Sequence, residues 1–120
     1  MATIRRIAPV FPVSDLHAAF AHYRLIGFDV REYEGGGYGY ATRDGIEIHL
    51  SLVRDLDPAT TTSVAYFWVD DADELAREWE AAGVSVGRPQ DTDWGQHEGT
   101  HVDRDGNLIR FGSPVRRPSP

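Results

Sequence analysis

Cysteine is absent, and so is lysine. Without a thiol the chain has no disulfide, no zinc ribbon and no cysteine nucleophile. All 12 bases are arginine, set against 19 acids, for a net charge of −7. An acidic chain with no basic run is a poor ligand for nucleic acid or anionic membrane, so neither is expected as a partner. No apolar run approaches the roughly 20 residues of a membrane helix. The start, MATIRRIAPV, lacks the apolar core of a signal peptide, so the cytoplasm is the expected location. What remains is an ordinary globular composition: 120 residues, 41% hydrophobic and 26% charged. That is enough for one domain over 1–120 with a core of its own.

The chain repeats itself. A shift of 56 residues lays VSDLHAAFAHYRLIGFDV (13–30) on VDDADELAREWEAAGVSV (69–86), pairing Val13 with Val69, Asp15 with Asp71, Tyr23 with Trp79, Gly27 with Gly83 and Val30 with Val86. Phe11 meets Phe67 just upstream. A tandem duplication is therefore expected, with unit one at about 4–56, a linker at about 55–62 and unit two at about 63–113.

Each unit reads as a strand, a helix and two or three further strands. The β-rich runs 7–13 and 63–69 end at candidate N-caps Ser14 and Asp70. Helical spacing follows in Leu16, Ala19, Phe20, Tyr23 and Ile26, and in Ala72, Leu75, Ala76 and Trp79. Gly27 and Gly83 stand where a left-handed C-cap is wanted. Strands are expected at 28–33, 46–53, 84–86, 100–102 and 107–112, with a hairpin turn at 43–45, a long loop at 87–95 and a frayed tail. GGGYGY (35–40) reads as a flexible rim turning into a strand, since no helix follows to make it a phosphate loop.

Period-two alternation sorts the strand residues by face. Ile46, Ile48, Leu50 and Leu52 oppose Glu47, His49 and Ser51; Ile109 and Phe111 oppose Leu108 and Arg110; Ala65, Phe67 and Val69 oppose Val64, Tyr66 and Trp68. Helices covering one side of each sheet leave the polar and aromatic faces to line a cup suited to a ligand. Trp94 stands in a polar loop, DTDWGQ, where an indole needs something to pack on, either a partner subunit or a bound ring. Arg110 is either a ligand contact or a partner for Glu47.

These features resemble the vicinal oxygen chelate superfamily, which includes glyoxalase I, extradiol dioxygenases, fosfomycin-resistance enzymes and bleomycin-resistance proteins. VSDLHAAFAHYRLIGF is similar to its first strand and helix, and DRDGNLIRF to its final turn and strand. The resemblance implies an α+β fold of two tandem βαβββ units forming curved mixed sheets around a cup. APVFPVSD (8–15), DGIEIHLS (44–51), SVAYFWVDDADEL (63–75) and DWGQHEGTHVDRDGN (93–107) look most like the bleomycin-binding branch. The branch usually has an aromatic where Gly99 stands, and a proline where Arg104 stands.

Metal-dependent members of the superfamily hold one divalent ion at four positions, which correspond here to Ala8, His49, Val64 and Arg110. Of these only His49 can ligate, so no metal and no cofactor is expected. His97-Glu98-Gly99-Thr100-His101 matches H-E-x-x-H, but that zinc chemistry needs a helix. The glycines and the DRDG turn around it favour strand or loop, and the match is read as coincidence. The branch implies a non-catalytic protein that sequesters a bleomycin-type glycopeptide as a domain-swapped homodimer. A cationic ligand would stack on Trp94, Trp68 and Tyr66. Glu47 and Glu98 would attract its charge, and His49 and Arg110 would make polar contacts. The alternative is a small-molecule enzyme of the same superfamily, with or without a metal.

Overall fold

Two aspartates 56 residues apart start the two helices. Asp15 Oδ1 accepts the backbone N–H of Ala18 at 3.0 Å, and Asp71 Oδ1 that of Glu74 at 3.0 Å. Each satisfies one of the orphan donors of a first helical turn. The caps thus fall one residue after the expected Ser14 and Asp70. The helices, α1 (Leu16–Leu25) and α2 (Ala72–Ala81), end alike. Gly27 and Gly83 take φ of 92° and 90°. The amides that follow them return to the helix, Phe28 to the Tyr23 carbonyl at 2.9 Å and Val84 to that of Trp79 at 3.2 Å. Glycine enters this left-handed cap without a Cβ penalty.

The computed structural model describes residues 1–116 and divides into two compact units between Asp57 and Pro58. Unit one contains β1 (Val10–Val13), α1, β2 (Asp29–Glu32), β3 (Tyr38–Arg43) and β4 (Ile46–Leu52). Unit two contains β5 (Val64–Trp68), α2, β6 (Gly87–Asp91), β7 (Gln96–Val102) and β8 (Leu108–Pro114), after a short 3-10 turn at Pro58–Thr60. The sheet orders are β1-β4-β3-β2 and β5-β8-β7-β6. In each, the first strand runs parallel to the last and the remaining neighbours are antiparallel. This is the expected α+β arrangement of two mixed sheets with two helices.

The helix-facing side of each sheet is the core. In unit one Phe11, Val13, Phe20, Tyr23, Ile26, Ile48 and Leu50 are buried; in unit two Ala72, Ala76, Trp79, Ile109 and Phe111 are. Tyr23 packs edge-on to Phe28 at 5.7 Å, and Trp79 edge-on to Phe111 at 5.2 Å. Gly99 faces this core, where a Cβ would come within 2.5 Å of the Phe111 ring. Phe111 fills the space that an aromatic at 99 would need. The final turn does without proline because the Asp103 carboxylate holds it, accepting from the amides of Asp105 and Asn107 at 2.9 Å each. Arg104 is exposed there.

Two further expectations change. Residues 84–86 form no strand, and 87–91, read as loop, form β6. Pro89, which has no amide to donate, sits where the β6–β7 register shifts between Gly87 and Gln90. GGGYGY turns into its strand as read, with Tyr38, Gly39 and Tyr40 in β3. In the tail, Arg116 pairs with Asp71 at 3.2 Å, and 117–120 lie outside the described residues. Among the described residues no helix is long and apolar enough to cross a membrane.

Candidate functional site

The sheet faces turned away from the helices carry the polar and aromatic residues. In unit one, β3–β4 pairing sets Tyr40 opposite His49 and Tyr38 opposite Ser51. Alternation along β4 puts Glu47 and His49 on the same side. His49 is the hub. Its Nε2 lies 2.9 Å from Glu47 Oε2 and its Nδ1 2.8 Å from the Tyr38 hydroxyl. A carboxylate only accepts, so Nε2 carries a proton; in the neutral imidazole Nδ1 is then the acceptor for the Tyr38 O–H. Tyr38 and Tyr40 pack edge-on to the imidazole at 5.3 and 5.0 Å, and Arg31 lies 4.2 Å over the Tyr40 ring. The bond from His49 holds the Glu47 carboxyl below its ordinary range. Burial, then the neighbouring Tyr40 and Glu47, raises the Tyr38 phenol.

In unit two the hub is a carboxylate. Glu98 Oε2 accepts the Tyr66 O–H at 2.7 Å and the Trp94 indole N–H at 3.0 Å. These two bonds, Trp94's first, and the field of Arg110 keep the Glu98 carboxyl below its ordinary value. Burial and then the bond to Glu98 push the Tyr66 phenol up to about 12. Tyr66 crosses Gly112 to reach Glu98; a Cβ at 112 would collide with the Tyr66 hydroxyl and stand 3.2 Å from Glu98 Cγ. Trp68 tilts against Tyr66 with ring centroids 4.7 Å apart. The two indoles are the exposed part of this face, Trp68 at 79% and Trp94 at 66%.

Of the residues singled out from sequence, unit two gathers Tyr66, Trp68, Trp94, Glu98 and Arg110 on one face. Unit one places Glu47 and His49 together, with Glu47 also 3.9 Å from Arg6. Tyr38, Tyr40, Arg31 and Gly112 escaped the sequence reading. The signal for the tyrosines was present, because Tyr-Gly-Tyr alternates with period two and precedes a hairpin turn whose Asp44 and Gly45 both have positive φ.

The four positions of the superfamily's metal do not suit one here. Ala8 and Val64 have no donor atom, Arg110 is a cation, and both nitrogens of His49 are engaged by Glu47 and Tyr38. Among the described residues no three His, Asp or Glu side chains are grouped to hold an ion. The H-E-x-x-H match runs along β7, with His97 and His101 toward α2. His101 is buried and donates to the Ser85 carbonyl at 2.6 Å. His97 stands between Asp73 and Asp91, 2.8 Å from each. Both carboxylates need a proton from the ring, so its pKa is raised, chiefly by the bond to Asp73. A cleft of about 500 Å³ opens beside α2 and β6, lined by Asp73, Ala76, Arg77, Glu80, Arg88 and Pro89. Arg88 already pairs with Glu80 there at 3.2 Å, and the cleft contains none of the aromatic residues.

Solved structures share this fold. A bleomycin resistance determinant encoded on the transposon Tn5 superposes with a TM-score of 0.85 at 21% identity, covering 94% of this chain and 100% of that one. The bleomycin-binding protein from bleomycin-producing Streptomyces verticillus, solved with copper(II)-bleomycin, gives 0.78 at 22% identity, with 96% and 100% covered. A glyoxalase-related enzyme from Clostridium phytofermentans gives 0.77 at 18% identity, with 95% and 98% covered. A search of curated protein sequences finds no match. The family profile described as Glyoxalase/Bleomycin resistance protein/Dioxygenase superfamily matches residues 3–111, and the chain belongs to that superfamily.

Proposed function

We propose that the protein is a non-catalytic binder that sequesters a bleomycin-type glycopeptide. The carrying observation is the pair of exposed indoles, Trp68 and Trp94, on one face with Tyr66, Glu98 and Arg110. Exposed aromatic faces stack flat rings, and a net charge of −7 draws a cationic ligand. Resistance follows from mass action, since tight binding lowers free drug in the cytoplasm. Glu47, His49 and Arg110 are proposed polar contacts. The solved neighbours that bind bleomycin support this ligand class.

The same reading takes the chain as one domain of two repeats joined at about 55–62, acting as a homodimer that exchanges its N-terminal strand. Ile4 and Ile7, at 93% and 91% exposure, precede an edge strand and suit such an exchange. Sedimentation is expected to find a species of about twice 13.4 kDa at micromolar concentration; a clean monomer would contradict the exchange. The proposal as a whole is tested by titrating bleomycin against tryptophan fluorescence. Saturable change with a raised melting temperature is expected, and no change in either ends it.

A second reading, an enzyme acting on a small metabolite, is favoured by the Glu47–His49–Tyr38 chain, which is built to pass a proton. Stoichiometric metal that also raises the melting temperature would promote it over the binder.

A further inference from the structure

We propose that Glu98 positions the Trp94 ring and does not serve as the counter-ion of the ligand. This deepens the proposed function and rests on it for the identity of the ligand.

Trp94 projects from a tight turn closed at both ends. Thr92 donates its amide to the Gln96 carbonyl at 2.9 Å and its hydroxyl to the same carbonyl at 2.8 Å. Gln96 returns its amide to Thr92 Oγ1 at 3.2 Å. Gly95 in the middle has φ of 87°, which only glycine takes without strain. The backbone is fixed, but the indole is two-thirds exposed, and no core packing limits its two side-chain torsions. The N–H bond to Glu98 at 3.0 Å supplies that limit.

Glu98 is itself held. The oxygen that takes the indole N–H also takes the Tyr66 hydroxyl, and Tyr66 is seated over Gly112 and against Trp68. One carboxylate therefore links the two exposed indoles through a single hydroxyl. Both donors converge on one carboxylate oxygen with Arg110 in its field, so the bonds that fix the carboxylate are all made within the chain. The ligand meets the faces of rings whose orientation is already set, so less side-chain freedom is lost on binding.

Two substitutions separate the roles. Glu98→Gln keeps an acceptor for both donors and removes the charge; Glu98→Ala removes both. Near-ultraviolet circular dichroism without ligand reads the indole directly. Glu98→Ala is expected to lose the component that Trp94→Phe loses, and Glu98→Gln to keep it. Bleomycin affinity should fall roughly three- to tenfold in Glu98→Ala and stay within about twofold in Glu98→Gln. Should Glu98→Ala fail to fold, Glu98→Gln and Trp94→Phe still decide. Glu98→Gln losing about tenfold or more in affinity with an unchanged spectrum would make Glu98 a counter-ion and overturn the proposal. An unchanged spectrum in folded Glu98→Ala would overturn it too. Unmutated protein that ignores bleomycin would end the sequestration reading, and the spectra would still judge the positioning role.

Discussion

The two faces turned away from the helices share a strand order and differ in chemistry. In unit one an imidazole is the hub, with Tyr38 on one nitrogen, Glu47 on the other and aromatic edges around it. In unit two a carboxylate is the hub for the Trp94 indole and the Tyr66 hydroxyl, Trp68 tilts against Tyr66, and both indoles are displayed to solvent. The helix-facing sides keep an aromatic anchor in common. Tyr23 and Trp79 hold matching places in α1 and α2, and both are buried. Close packing forgives little on the core side, where a lost methylene is felt. The outer face has no such constraint, and there the two halves have taken up different chemistry.

The largest effect separates the two sides of one sheet. Trp79→Ala should cost about 3–5 kcal/mol, because its indole is enclosed by Phe111 and His101. Trp68→Ala should cost no more than about 0.5 kcal/mol. Urea unfolding of both variants measures the contrast, and equal costs would erase it.

Next comes the contrast between the two outer faces. A ring stacked on indole is worth roughly 1–3 kcal/mol, so Trp94→Ala should weaken bleomycin binding by about ten- to a hundredfold with the fold intact. Tyr38→Phe breaks the bond to His49 in unit one and should change affinity little. Comparable losses would make the Tyr38–His49 bond as important to binding as the Trp94 ring.

Gly112→Ala sharpens the picture of unit two. The new methyl displaces Tyr66, moving its hydroxyl toward solvent and away from Glu98. The Tyr66 pKa, pushed up to about 12, should then fall toward its ordinary 10.0, as read by ultraviolet titration. Tyr38 should not respond.

The smallest effect lies on the helix side of β7. The His97 pKa is raised in the folded protein by Asp73 and Asp91. The folded state holds that proton more tightly than the unfolded chain. The contribution is therefore complete below the ordinary histidine value and disappears as pH rises through the folded one. Partly exposed pairs are worth only about 0.2–1 kcal/mol each. Denaturant midpoints from pH 5 to 9 should show the decline in unmutated protein and not in His97→Gln.

The fold was legible because its signals are local. Gly27 and Gly83, and the alternation of Ile48 and Leu50 with Glu47 and His49, each state their structural role within a few residues, while the N-caps read one residue early, at Ser14 and Asp70 instead of Asp15 and Asp71. β6 was hidden because Gly87 and Pro89 read as breakers, and only its neighbour β7 makes a strand of it. The candidate site was legible as residue types on faces and not as bonds. Alternation put Tyr66 and Arg110 outward, but no pattern in the chain shows that Tyr66 and Trp94 share one oxygen of Glu98, since that depends on the β5–β8–β7 register and on the open space at Gly112. Tyr38 was missed for the same reason, because its partner His49 comes from register across a hairpin.

The displayed indoles of unit two are the proposed seat of a bleomycin-type ligand. Isothermal titration of bleomycin into unmutated protein and Trp94→Ala, side by side, tests it most directly. Saturable heat at one site per chain is expected in the first and affinity about ten- to a hundredfold weaker in the second. No heat with unmutated protein, or equal affinity in both, would contradict it.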